Sequence, residues 1–329
     1  AGACPRPWRM GGVQAAGDGD GACRWLARAG APCKEILVAR CGIAKPLVRV
    51  HPVGQPLRGT YDVETEPLGV GGTAVVHLCR QSGPSSSAPA VTRACKTMMR
   101  DLGTEDALIW REVAIWTKLL HGCTDGIVRL YEVYQEETYV HLVMELCDGG
   151  ELYARQAQLG VFEEHEAQVL LRQMLAAVAQ LHRLSIVHRD LKLENWLFGE
   201  ADRLEPLKLA DFGSSAEVVR GEQLFEKVGS PYYTAPEVLH GQGYGSSCDI
   251  WGLGVIAYML LSGQPPFDGP SRETILLAVR LRKPEFNSQA WVDTSDTASE
   301  FVARLLTRDV TLRPDAGAAA ADAWLARKS

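Results

Sequence analysis

The chain has 329 residues, with 34 Lys and Arg against 40 Asp and Glu, giving a formal net charge of −6. At 46% hydrophobic and 22% charged residues, this composition excludes a mostly disordered or collagen-like chain. The mildly acidic balance argues against nucleic-acid binding and for basic partners. The longest apolar run, around Ile250 to Leu261, falls short of the roughly 20 residues a membrane span needs. Nine scattered cysteines without a CxxC pair point to reduced thiols, hence to a cytoplasmic protein, with the nucleus as a second compartment.

Residues 1–57 are rich in Gly, Ala, Pro and Arg without sustained periodicity, and are expected to form a disordered leader. At most a short helix is expected there, around Trp25 to Ala29. The chain begins with Ala1, so it is expected to be processed or a piece of a longer protein. The run Asp18-Gly19-Asp20-Gly21 is too poor in acids for a calcium loop, and its twelfth position is Ala29 where a Glu is needed. From Tyr61 the pattern turns strand-like, with Val75, Val76 and Leu78 beside a Gly turn. Gln81 to Pro89 reads as a hairpin loop, and Ala94-Cys95-Lys96 as part of a third strand. Ala107 to Leu120 has helical spacing; Ile127 to Val133 and Tyr139 to Leu146 read as strands. After Gly149-Gly150 the chain turns helical, and Glu163 to Leu184 is long and amphipathic. Strands first and helices second predict an α+β fold of two unequal lobes, joined near Leu146 to Gly149.

Five motifs carry chemistry. Gly69 and Gly71 lie in a loop between two strands, where small residues let backbone N–H groups approach phosphates. Lys96, on the strand opposite, can pair with phosphate oxygens, and Glu112 on the following helix is placed to hold it. His188 to Asn195 puts Asp190, Lys192 and Asn195 in one short loop. There Asp190 can orient a hydroxyl and accept its proton, Lys192 can neutralise a phosphoryl group, and Asn195 can ligate a metal. Asp211-Phe212-Gly213 supplies a second metal ligand in Asp211, and Ala235-Pro236-Glu237 follows. Gly loop, Lys, Glu, HRD…N, DFG and APE, in that order, form the protein-kinase signature set.

The chain therefore resembles a eukaryotic protein kinase domain over residues 58–327, with a β-rich lobe at 58–146 and a helical lobe at 149–327. More narrowly it resembles the calcium/calmodulin-dependent group, and within it the calcium-dependent protein kinases of plants and protists. HRDLKLENWLF at 188–198, VGSPYYTAPEVL at 228–239, CDIWGLGVIAYMLLSGQPPF at 248–267 and LLTRDVTLRPDA at 305–316 carry that likeness. The resemblance implies ATP and Mg²⁺ as cofactors and protein Ser or Thr as acceptor, Lys192 being typical of Ser/Thr kinases. It places Leu68, Gly69, Gly71, Val76, Ala94, Met144, Glu145, Cys147, Glu151 and Leu197 around the nucleotide, with backbone hydrogen bonds from Glu145 and Cys147. Glu151 and Glu194 match acids that bind an Arg upstream of the target, so basic motifs are expected in substrates. Asp249 is expected to brace the HRD backbone, Arg313 to pair with Glu237, and Trp116, Leu130, His188 and Phe212 to form a hydrophobic column.

Glu226 stands where many kinases carry a phosphorylated Thr. Its carboxylate can pair with Arg189, so the loop is expected to need no phosphorylation. The sequence departs from the family at Thr73, Ala74 and Leu193. Ala74 is tolerable where its φ is negative, and Thr73 removes an aromatic lid over the phosphates. These departures leave a second expectation open, a pseudokinase acting as a scaffold or allosteric partner; a docking role for the leader is a third. The short stretch after Arg313 is expected to leave no room for a calcium-sensor module in this chain.

Overall fold

The computed structural model describes residues 48–82, 91–100, 104–122, 125–219, 221–286 and 289–326. The leader up to residue 47, its expected short helix and the Asp18 run lie outside the described residues, as does most of the expected hairpin loop.

The first lobe is one six-stranded sheet, in the order β1-β5-β6-β4-β3-β2. Its strands are β1 (Arg49–Val50), β2 (Tyr61–Val70), β3 (Ala74–Gln81), β4 (Thr92–Met99), β5 (Leu130–Gln135) and β6 (Tyr139–Met144). Neighbours pair antiparallel, except that β1 runs parallel to β5. That strand corrects the boundary expected at 57/58. Residues 48–57 carry too few apolar positions to show a period, yet Val48 and Leu57 are buried and β1 covers the edge of β5. Ile127 also departs from expectation: it bridges to Leu209 rather than extending β5.

Helix α1 (Thr104–Gly122) packs on this sheet through Ile109, Val113, Trp116 and Leu120, spaced as one helical face. Trp116 also donates its indole N–H to Val128 O at 2.7 Å.

The second lobe begins with α2 (Leu152–Leu159) and α3 (Glu164–Arg183). A capping box between Glu163 and Glu166 starts α3, acids lie in its first turn, and His182 and Arg183 lie in its last, as the helix dipole favours. Two small pairs follow: β7 (Ile186–Val187) with β10 (Ala216–Glu217), and β8 (Trp196–Phe198) with β9 (Leu207–Leu209). After α4 (Pro236–His240), helix α5 (Ser247–Ser262) is buried on nearly every side and forms the axis of the lobe. Helices α6 (Arg272–Leu281), α7 (Asp296–Leu305), α8 (Ala316–Ala320) and α9 (Ala323–Ala326) close it. One hydrophobic cluster runs from Val113 and Trp116 in the first lobe to Trp251 and Phe301 in the second, matching the expected α+β fold. The lobes join at 145–148, and Gly149 lies against β8, where a Cβ would meet that of Phe198 at 2.5 Å. No described helix is long and apolar enough to cross a membrane.

Candidate active site

Between β2 and β3 the Gly-rich turn is closed by Gly71 N donating to Ala74 O at 2.8 Å. Neither glycine is in the left-handed region, and a Cβ at Gly69 would meet nothing within 4 Å, so the space over the turn is open. Ala74 opens β3 opposite Met98 with no positive φ, which is the condition for tolerating its methyl group.

Lys96 is the centre of the site. From β4 its Nζ donates to Glu112 Oε1 on α1 at 2.8 Å and to Asp211 Oδ1 at 2.9 Å. Burial alone would lower the pKa of this amine; the charges and hydrogen bonds of Glu112 and Asp211 outweigh it and raise the value. Burial would likewise raise Asp211, but the charge and hydrogen bond of Lys96 bring its pKa down to about 2. Phe212 fixes the turn that follows. It is fully buried, with its ring 5.3 Å from Trp116 and 5.5 Å from His188, and Leu130 is buried in the same core.

Arg189 and Asp211 both hold positive φ, at 71° and 62°. Such conformations cost about 1–3 kcal/mol each and persist where the surroundings over-determine them. At Arg189 it is Asp249 on α5 that does so, accepting from His188 N at 2.9 Å, Arg189 N at 2.8 Å and His182 Nε2 at 2.9 Å. Burial works to raise the pKa of Asp249, and the His182 hydrogen bond, the charges of His182 and His188 and the Arg189 N–H together lower it further than burial raises it.

Asp190 is held from three sides. Its Oδ2 accepts from Lys192 Nζ at 2.9 Å, its Oδ1 from Ser230 N and Oγ at 2.9 Å, and its carbonyl from Asn195 Nδ2 at 2.9 Å. Gly229 has φ 104°, and a Cβ there would stand 2.9 Å from Arg189 O, so this approach requires glycine.

The expected nucleotide residues lie on both lobes: Leu68 to Met144 in the first, Leu197 in the second. Val76 pairs with Lys96, and Ala94 with Met144. Leu197 on β8 is half-buried below, and Leu68 is exposed at the mouth. Glu145 N donates to Arg129 O at 2.8 Å, and its carboxylate accepts from Lys208 Nζ at 2.5 Å, which leaves its carbonyl free for a base. Cys147, half-buried, has its thiol pKa pushed up to about 12 by burial and by Glu145. Glu151 and Glu194 are near enough that Glu194, after burial, raises the Glu151 pKa, and Glu194 Oε2 is buried without a partner.

A magnesium ion fits the oxygen donors present. The hydrogen bonds of Asp211 use Oδ1 and those of Asn195 use Nδ2, so Asp211 Oδ2 and Asn195 Oδ1 keep free lone pairs. No group of three or more His, Cys, Asp or Glu able to hold a metal exists among the described residues, so a cation here would draw its other ligands from phosphate and water.

Four contributors were not legible in the sequence: Ser230 on Asp190, His182 on Asp249, Lys208 on Glu145, and Arg111, whose charge acts on Glu226 beside Arg189. Each acts across a long sequence separation; Ser230 lies within the 228–239 string, but nothing in that string points it at Asp190.

Residues 63–325 match the protein kinase domain. This chain belongs to the protein kinase family. Its kinase domain is 37% identical over 276 residues to calcium-dependent protein kinase SK5 of Glycine max, covering 82% of this chain and 52% of that protein. It is 38% identical over 262 residues to calcium-dependent protein kinase 24 of Oryza sativa, covering 78% and 49%. It is 34% identical over 261 residues to calcium-dependent protein kinase 5 of Plasmodium falciparum, covering 79% and 44%. The chain thus spans about half the length of the curated relatives it matches.

Proposed function

We propose that this kinase domain transfers the γ-phosphoryl group of ATP to Ser or Thr hydroxyls of proteins, preferring sites with an Arg upstream. The observation that carries this reading is Lys96, bonded at once to Glu112 and Asp211 while Phe212 lies buried in the column. Glu112 aims the Lys96 ammonium at the cleft, where it offsets phosphate charge. Asp190 orients the acceptor hydroxyl and takes its proton, and Ser230 holds the Asp190 carboxylate in place. Lys192, bonded to the same carboxylate, offsets charge on the phosphoryl group in flight. Asn195 and Asp211 would hold Mg²⁺, which supplies charge neutralisation at the phosphates. Leu68, Val76, Ala94, Met144 and Leu197 enclose the base and exclude water. The unpartnered Glu194 Oε2 beside Glu151 supports an arginine-directed substrate site, since a guanidinium would satisfy both acids.

The test is radiolabelled phosphate transfer from ATP and Mg²⁺ to a peptide with Arg three residues before Ser, with and without calcium. Turnover is expected, falling by about 10²–10⁴ in Asp190→Asn, the range a positioned general base supplies. Glu194→Gln is expected to raise the peptide KM about tenfold, with the KM for ATP unchanged. ATP binding without transfer to this peptide or to a generic basic protein would sink the proposal in favour of a pseudokinase scaffold.

A further inference from the structure

Cys79 and Cys95 lie on the neighbouring strands β3 and β4. Cys79 stands opposite Arg93 and His77 opposite Cys95, so the two cysteines are diagonal neighbours on one face of the sheet. Lys96, next in sequence, projects from the opposite face, into the cleft. Both cysteines are fully buried in a small core of their own with Leu57, Tyr61, Tyr134 and Val143. Each thiol acts on the titration of the other. A polar chain continues from there: Cys95 Sγ lies 3.9 Å from Thr97 Oγ1, which lies 2.9 Å from His141 Nδ1.

We propose that Cys79 and Cys95 are a redox-sensitive pair, which a peroxide converts to a cross-strand disulfide that pulls Lys96 out of register with Glu112 and Asp211. Cys95 is the nucleophile. Its thiol pKa is lowered to about 5, first by Cys79 and then by His141 and Thr97, against the effect of burial. The Cys95 thiolate attacks one peroxide oxygen, the O–O bond breaks, and the other oxygen leaves as hydroxide, which becomes water by taking back from solvent the proton that Cys95 released on ionising. Cys95 is then a sulfenic acid. The Cys79 sulfur attacks the Cys95 sulfur, the S–S bond forms as the S–O bond breaks, and a second water leaves with the Cys79 proton. Two thiols have lost two electrons, and the peroxide has been reduced to two waters.

The diagonal placement gives this bond its consequence. Diagonal neighbours in an antiparallel pair stand about 7–8 Å apart, somewhat less between Cβ atoms. A disulfide holds its Cβ atoms about 3.5–4.5 Å apart. Closing it draws β3 and β4 together beside Lys96. Misplacing a charge-positioning group by about 1 Å costs on the order of a hundredfold in rate.

Access to the pair is governed by the segment that leads into β2 and by the first residue of that strand, which cover it with Leu57 and Tyr61. Glu132 ties that segment down, accepting from Tyr61 OH at 3.0 Å and meeting His51 Nε2 at 2.6 Å. Leu57 N donates to Glu136 at 3.1 Å. Loosening this cover exposes the thiols.

The effect on activity rests on the phosphoryl-transfer reading; the thiol chemistry does not. The full chain is treated with hydrogen peroxide, its free thiols are alkylated, and its peptides are mapped by mass spectrometry in parallel with the transfer assay. A Cys79–Cys95 cross-linked peptide is expected, with transfer reduced and then restored by dithiothreitol. Both effects should be absent in Cys79→Ala, and the cross-link should form faster in Glu132→Gln. Free Cys79 and Cys95 after peroxide treatment, or Cys95 halted at sulfinic acid, would overturn the pair. A cross-link that left transfer unchanged would overturn its action on Lys96, and an unaltered rate in Glu132→Gln would overturn the role of the cover. A chain without transfer before treatment would refute the kinase reading while the peptide map still decided the disulfide.

Discussion

Arg189 Nη1 and Glu226 Oε2 lie 2.7 Å apart, joining the catalytic loop to the segment that follows Gly213. The Arg189 side chain is 1% exposed and that of Glu226 is 61% exposed. Arg189 Nη2 is buried without a partner, and the charge of Arg111 also acts on Glu226, so one carboxylate answers two guanidinium groups. Glu226→Ala is therefore expected to lower kcat about tenfold, a loss of about 1.4 kcal/mol of transition-state stabilisation. Phosphatase treatment of the wild-type chain should leave kcat unchanged; a fall after treatment would show that phosphate, and not Glu226, orders this segment.

Lys96→Met removes the cation shared by Glu112 and Asp211. Glu112 is 3% exposed, so the variant leaves a buried carboxylate uncompensated, at a cost of about 3–5 kcal/mol. Phosphoryl transfer should be lost and the urea midpoint should fall. Lys96→Met with Glu112→Gln should regain much of the stability and none of the activity. Recovery of transfer in the double variant would remove Lys96 from the chemistry.

Asp249 sets a pH dependence. Its folded pKa lies below the ordinary carboxylate value, so its contribution to stability is present above the unfolded value near 3.9 and is lost as pH falls through the folded one. Asp249→Asn should destabilise the chain by about 1.5–3 kcal/mol at neutral pH, the worth of a hydrogen bond to a charged group. The gap between the two proteins, read from urea melts, should shrink steadily below a pH of about 4. A gap independent of pH would mean that shape, and not charge, is what Asp249 supplies.

Arg313 donates Nη1 to Glu237 Oε1 at 2.6 Å and Nη2 to Oε2 at 3.1 Å, with its own side chain fully buried. It also reaches the carbonyls of Thr307 and Ser247. Arg313→Ala should cost about 3–5 kcal/mol. Arg313→Lys should recover little, because an ammonium lacks the planar fork that meets both carboxylate oxygens. Equal stability of Arg313→Lys and wild type in chemical denaturation would refute this.

Where the chemistry sits in contiguous strings, the sequence suffices. Asp190, Lys192 and Asn195 fall within one short loop, and Asp211 is followed directly by Phe212 and Gly213, so local order alone names them. The helices at 104–122 and 164–183 are legible for a similar reason, since a period of 3.6 is a local property of the chain. Long-range pairing is different. That β1 caps β5, that Ser230 seats on Asp190, that Lys208 latches Glu145, and that Cys79 meets Cys95 on the diagonal all depend on sheet register and lobe packing. A shift of one residue in any strand would reverse the faces and break these contacts, and no short stretch of sequence encodes that register. Residue types and order name the family and its reacting groups. The tertiary fold alone brings Lys96, Glu112 and Asp211 within 3 Å contacts, because only packing of the whole core fixes positions so distant in the chain.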